Sequence, residues 1–393
     1  MKNINNTKSL ISKKTALVLS GGVVKAGAWH LGVALALEDL GFRFKSNHSE
    51  NVDSLEISTY VGSSAGSLIL LYLANGFKPK DIIKSFVAKK ESPLKPLSYY
   101  DMLHLYNPLN KPPRPKLYEP FSEFPFLLKA LIKPYLSISG LFSTVGLKKY
   151  LEENIIFSND FNDYKADIFV VASQLDHSRK VIFSKYNYPS PVDDPTTFYY
   201  NNVSVSEAAA ASMSVPPFYT PYPIFNEYTG NTDYYIDGEI RDTLSTHVAV
   251  DNKCEYIISS WTHTPYHLTD DIGSLINYGL PAIVTQSIYL MIQKKIMTAR
   301  NRNLQSKEVL DIVSRYFKEN NLDNEQRKKI LDIIEKKLNY HRNVTFIDIC
   351  PTAKNYKLFL KNSFSLSPKN SSEIITMGYE RTMEVFNSQE WKR

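Results

Sequence analysis

The feature that most constrains this chain is a five-residue turn, Gly62-Ser63-Ser64-Ala65-Gly66, set between two apolar segments of different kinds. Residues 57–61 before it are mostly β-branched or aromatic and read as a strand. After it, Leu68, Ile69, Leu70, Leu71, Leu73 and Ala74 predict an apolar helix closed by Asn75-Gly76. A G-x-S-x-G turn between strand and helix holds its serine on a tight bend, and small residues at Gly62, Ala65 and Gly66 make room for that bend. The same unit occurs once before. Residues 16–19 predict a strand, a glycine-rich loop follows, and a helix is expected over 28–40. Strand, turn and helix in repetition predict an α/β fold, with a mixed central sheet, helices on both faces and functional groups at strand ends.

Three motifs carry chemistry. Ser64 is the candidate nucleophile, with Gly62 and Gly66 shaping its elbow, and the helix after it directs positive partial charge toward a developing anion. The loop Ser20-Gly21-Gly22-Val23-Val24-Lys25-Ala26-Gly27 can turn several backbone N–H groups toward one anion. Its spacing fits neither a P-loop nor a dinucleotide-binding loop, so an oxyanion hole built from Gly21, Gly22 and Val23 is the economical reading, with Lys25 as a further anion-stabilising candidate. The third motif is Tyr234-Tyr235-Ile236-Asp237-Gly238, where Asp237 ends an apolar strand. A partly desolvated carboxylate there is a candidate base for a serine, although taken alone it reads as an ordinary Asp-Gly turn.

In this order the three motifs resemble the patatin-like phospholipase family. Residues 61–82, Gly140-Leu141-Phe142 with Leu147, and residues 208–222 are similar to further family landmarks, so the resemblance covers about residues 15–262, with a looser echo over 344–386. It implies a three-layer α/β/α fold and a serine lipid acyl hydrolase of the phospholipase A or lysophospholipase kind. Ser64 and Asp237 would form its dyad, with no metal or cofactor. Three positions depart from the family pattern. Val23 stands where a third glycine is usual, Ala26 adds a residue between Lys25 and Gly27, and Glu239 follows the Asp-Gly pair where Gly or Ala is usual. A position needing positive φ resists valine, which leaves open a catalytically impaired lipid- or partner-binding protein. An acyltransferase or triad esterase is the other alternative, with His177 or His247 completing the triad.

Around this core, residues 1–14 read as a polar tail. Residues 92–140 hold nine of the 21 prolines among many aromatics and read as an insertion, either a lid or an irregular packed loop. Residues 263–340 read as a helical insertion. Its last helix begins at Asp323 with Gln326 in a capping-box-like pair, has an apolar face of Ile330, Ile334 and Leu338, and has a basic face that reads as solvated. Residues 341–393 supply a closing strand and helix that return to the core. The longest apolar run, residues 278–292, contains Pro281 and Gln286 and reads as a buried helix, not a membrane span. His263 and His267 have metal-like spacing near Asp270 and Asp271, but a surface loop is the expectation there; His30 is expected to orient the glycine-rich loop.

Composition narrows the class of partner. The net charge of +6 comes without a basic run, zinc-finger spacing or RNA-binding signature, which argues against nucleic acid and leaves an anionic membrane surface open. Two cysteines make no disulfide framework, so a reducing compartment is expected, with the protein cytoplasmic and peripheral at a membrane.

Overall fold

The computed structural model describes residues 13–48, 55–105, 125, 139–191, 194–321 and 323–388. β1 (Thr15–Leu19) leads into α1 (Val23–Asp39), and β2 (Phe42–Phe44) and β3 (Leu55–Ser63) lead into α2 (Ala65–Ala74) and α3 (Pro79–Val87). A short α4 (Tyr99–Met102) precedes a two-stranded pair, β4 (His104–Leu105) with β5 (Phe142–Ser143), and α5 (Val145–Asn154) follows. Next come β6 (Asp167–Gln174), β7 (Arg179–Phe183), β8 (Thr197–Tyr200), α6 (Val205–Ser212), β9 (Tyr222–Asn226), β10 (Asn231–Asp237), α7 (Thr246–Asp251) and β11 (Tyr256–Ser260). The long α8 (Gly279–Glu319), α9 (Asn324–Leu338), β12 (Thr345–Ile349) and α10 (Pro368–Ser388) complete the chain.

The main sheet is mixed and runs β12-β11-β1-β3-β6-β10-β9, with β2 on β3 and with β7 and β8 reached from β6. β12, β11, β1, β3 and β6 are parallel neighbours, whereas β10 and β7 pair antiparallel with β6. All of β1 is buried, and its side chains divide by the two-residue period of a strand. Leu17 and Leu19 join the larger core with α1, α2 and α10, while Ala16 and Val18 join a second core containing Val248 and Ala249 of α7. Apolar clusters on both faces make this a three-layer α/β/α fold with a mixed sheet, as expected.

Several local expectations are corrected. The first helix starts at Val23 and not at 28, so Lys25, Ala26 and Gly27 lie inside α1. The run 278–292 is not a separate buried helix; it opens the 41-residue α8 and is mostly exposed. Pro281 is tolerated because it sits in the first turn, where a backbone N–H has no helical acceptor. Gln286 does not break the helix either, because its amide holds both the N–H and the C=O of Tyr266 at 2.9 Å. Asp323 caps α9 by accepting from the N–H groups of Glu325 and Gln326. The buried side of α9 centres on Leu331, with Ile334 and Leu338 packed on the same cluster and Ile330 exposed. Most of the 92–140 insertion lies outside the described residues, as do residues 1–12 of the tail.

Candidate functional site

β3 and α2 meet at Ser64, whose backbone is at φ 50°, ψ −126°. This is a conformation that an L-residue adopts only where its surroundings enforce it, at a cost of order 1–3 kcal/mol. The enforcement is visible on both sides of the turn. A Cβ on Gly66 would lie 2.3 Å from the carbonyl oxygen of Leu19, so only glycine lets the elbow pack against the end of β1. The Ser64 N–H donates to the Ser212 hydroxyl at 2.8 Å, and that hydroxyl in turn donates to the Val171 carbonyl at 2.6 Å. The Ser67 hydroxyl donates to the Ser64 carbonyl at 2.6 Å.

Asp237 ends β10, which pairs with β6 through Asp237 and Ala172. Its carboxylate is buried and has two hydrogen-bonding neighbours, the Ser64 hydroxyl and the Glu239 N–H, the latter at 2.9 Å. Burial pushes its pKa up from 3.8 to about 6, partly opposed by those two donors. A carboxyl with that affinity is a competent proton acceptor near neutral pH. His177 is exposed in the turn between β6 and β7, and His247 lies on α7 near Asp242, at 3.9 Å. The groups that shift the Asp237 carboxyl, besides burial, are Ser64 and Glu239.

Two helix starts, α1 and α2, line one apolar pocket with Ser64, and neither carries a side-chain cap. No side chain caps the N–H groups of Val23, Val24, Ala65 or Gly66, which stand at the positive ends of the two helices, whereas the Lys25 N–H donates to the Ser363 carbonyl at 3.2 Å. Leu68, Phe86, Leu97, Met102, Leu147 and Tyr219 give the pocket an apolar wall suited to a hydrocarbon chain. Val23 opens α1 at φ 59°, the left-handed region that a β-branched residue resists. The anticipated conflict between valine and positive φ is thus present at this position. His30 ties the loop from behind. Its Nε2 lies 2.9 Å from the Ser20 carbonyl and its Nδ1 3.1 Å from the Ser260 hydroxyl. Burial lowers its pKa to about 4, so the neutral ring donates from Nε2 and accepts at Nδ1.

Lys25 is buried inside α1, and its ammonium lies 5.5 Å from the centre of the Tyr289 ring on α8. His263 was expected on a surface loop. It is instead buried, stacked edge-on against Tyr289 at 5.1 Å, whereas His267 is exposed. No metal-binding cluster occurs among the described residues.

Glu239 is the site residue that sequence reasoning noted without giving it a role. Its carboxyl accepts from the Ser63 hydroxyl and from the Gly21 N–H, and its other oxygen lies 3.8 Å from His263 Nδ1. Burial, reinforced by the nearby Asp237 carboxylate, raises its pKa well above the usual glutamate range. A Cβ on Gly21 would lie 2.5 Å from Glu239 Cγ and 2.7 Å from Ser64 Cβ. Gly21 is therefore wedged between the two side chains. The signal available in the sequence was the unusual third residue of Asp237-Gly238-Glu239.

A strained serine at a strand-to-helix elbow, a buried carboxyl beside it and two helix starts over an apolar pocket thus stand together in one α/β fold. The family model for patatin-like phospholipases matches residues 17–250, more than half of the chain, and the chain belongs to that family of lipid acyl hydrolases. No curated protein matches it significantly.

Proposed function

We propose that this protein is a serine lipid acyl hydrolase of the phospholipase A or lysophospholipase kind, with Ser64 as nucleophile and Asp237 as base. The observation that carries this reading is Ser64 held at φ 50° beside a buried carboxyl and above an apolar pocket. Asp237 accepts the hydroxyl proton as Ser64 Oγ attacks the ester carbonyl. The oxyanion that forms is held by N–H groups at the starts of α1 and α2, chiefly those of Gly22 and Val23. The departing alcohol takes the proton from Asp237, leaving an acyl-enzyme whose chain lies in the pocket. Water, deprotonated by Asp237, then releases the fatty acid and restores the dyad. The substrate is a glycerophospholipid or other lipid ester presented at a membrane surface. A fluorophosphonate probe is expected to label the wild type and not Ser64→Ala, with loss of ester hydrolysis and little change in folding. Equal labelling of both proteins would remove Ser64 from the role.

One observation favours a second reading, a site held closed at rest. The Glu239 carboxyl occupies the Gly21 N–H, one of the three donors expected to form the hole, and Val23 holds the third position under strain. In that reading the protein binds lipid but turns it over slowly, because losing one oxyanion donor costs about 10²–10³ in rate.

A further inference from the structure

An exposed helix ordinarily turns its apolar face inward and its polar face to water. The first half of α8 does not. Its inward side consists of Gln286, Tyr289 and Ile292, with Tyr289 packed on Phe359 and Gln286 bonded to the Tyr266 backbone. Its outward side carries Leu280, Ile283, Val284, Ile288 and Met291, at spacings of three, four, eight and eleven residues from Leu280, and all five are exposed. Leu280 is 72% and Met291 61% exposed. No charged residue occurs between Asp271 and Lys294. The stretch 275–319 contains an 18-residue window of mean hydropathy 1.3 of which only 11% is buried.

We propose that the outward face of the first half of α8 is a bilayer-docking surface for anionic lipid, resting on the lipid-hydrolase reading above and naming the segment that meets the membrane. The charge pattern selects this occupant. Lys294 and Lys295 follow the apolar stretch directly; Lys294 is exposed, and the Lys295 ammonium donates to the Ile240 and Arg241 carbonyls at 3.3 and 3.4 Å. Lysines at the end of an apolar helical face meet phosphate headgroups while the face enters the acyl boundary. By composition the segment could cross a membrane, but a crossing would strip Tyr289, Ile292 and Gln286 from the core. The helix therefore lies in the interface plane. The same Tyr289 ring touches His263 and Lys25, so docking sets down one layer behind the glycine-rich loop.

The test is co-sedimentation with vesicles of phosphatidylglycerol and phosphatidylcholine. It is run in the Ser64→Ala background so that lipid is not consumed and binding is read independently of turnover. Val284→Glu with Met291→Glu is expected to weaken binding at least tenfold while leaving thermal unfolding unchanged and, with Ser64 intact, hydrolysis of a soluble short-chain ester unchanged. Lys294→Glu is expected to reduce the preference for phosphatidylglycerol. Val284→Trp is expected to show a blue shift on adding vesicles, which locates insertion even if the glutamates perturb folding. Equal binding by wild type and the double variant overturns the proposal. So does a wild type that ignores vesicles and sediments as a dimer that the double variant dissociates, since the occupant is then a second copy. Loss of fluorophosphonate labelling with retained vesicle binding sinks the hydrolase reading alone.

Discussion

Asp237→Asn is expected to stabilise the protein while abolishing its turnover. Asp237 is buried, and desolvation carries its pKa from 3.8 to about 6. Between those values the folded protein binds more protons at this site than the unfolded chain does. Stability from this group is therefore full below about pH 4, falls as pH rises, and is gone above about pH 6. A shift of about two units, at 1.36 kcal/mol each, makes the penalty at pH 7 about 3 kcal/mol. Asparagine cannot ionise, and its carbonyl can still accept from the Glu239 N–H while its amide faces the Ser64 hydroxyl. Urea unfolding should show a gain of about 3 kcal/mol at pH 7 that shrinks toward zero near pH 4. Turnover should fall on the scale of a lost catalytic base, roughly 10⁴-fold. In the wild type it should rise with pH through about 6, because the base works only when ionised. A variant less stable than the wild type at pH 7, or a gain of the same size at pH 4, would refute the assignment of a desolvated carboxyl.

Val23→Gly removes a β-branched side chain from φ 59°, a strain of roughly 1–2 kcal/mol, against roughly 0.5–1 kcal/mol of added freedom in the unfolded chain. The urea midpoint should rise by the small remainder and turnover should hold or increase; a lower midpoint would mean that valine is unstrained there. Glu239→Ala is expected to lower stability and turnover by releasing Ser63 and the Gly21 loop. A rise in short-chain ester hydrolysis would instead identify the carboxyl as a stopper of the hole.

The elbow was legible because its requirements are local. Gly62, Ala65 and Gly66 are small, the strand before them is β-branched and the helix after them is apolar. β1 and β6 were legible because a strand buried on both faces reads as a nearly unbroken apolar run. What escaped was set by contacts between distant segments. Val24, Lys25 and Ala26 looked like loop beside glycines, yet the helix begins immediately after Gly22, where the 363 carbonyl accepts from the Lys25 N–H. The run 278–292 looked like core because apolar helices usually are, and pattern alone does not say which side of such a helix meets protein. His263 sits in a Thr-Pro-Tyr stretch with surface composition, and only the return of α8 over it makes it interior.

One departure from the family pattern, Glu239, is connected in space to the glycine-rich loop and to α8. Glu239 contacts Gly21 and Ser63, approaches His263 through its second oxygen, and His263 meets the Tyr289 ring of α8, over which Lys25 also lies. Glu239 Oε2, His263 Nδ1 and the Thr262 hydroxyl are all buried without a hydrogen-bond partner among the described residues, although the first two lie only 3.8 Å apart. Unpaired polar atoms at that spacing are costly, roughly 1–3 kcal/mol each, and a small closing movement would pair them. Glu239 and the long α8 are thus joined through His263. The residue that departs most from the family pattern after Asp-Gly also joins the hole to the helix whose outer face is bare.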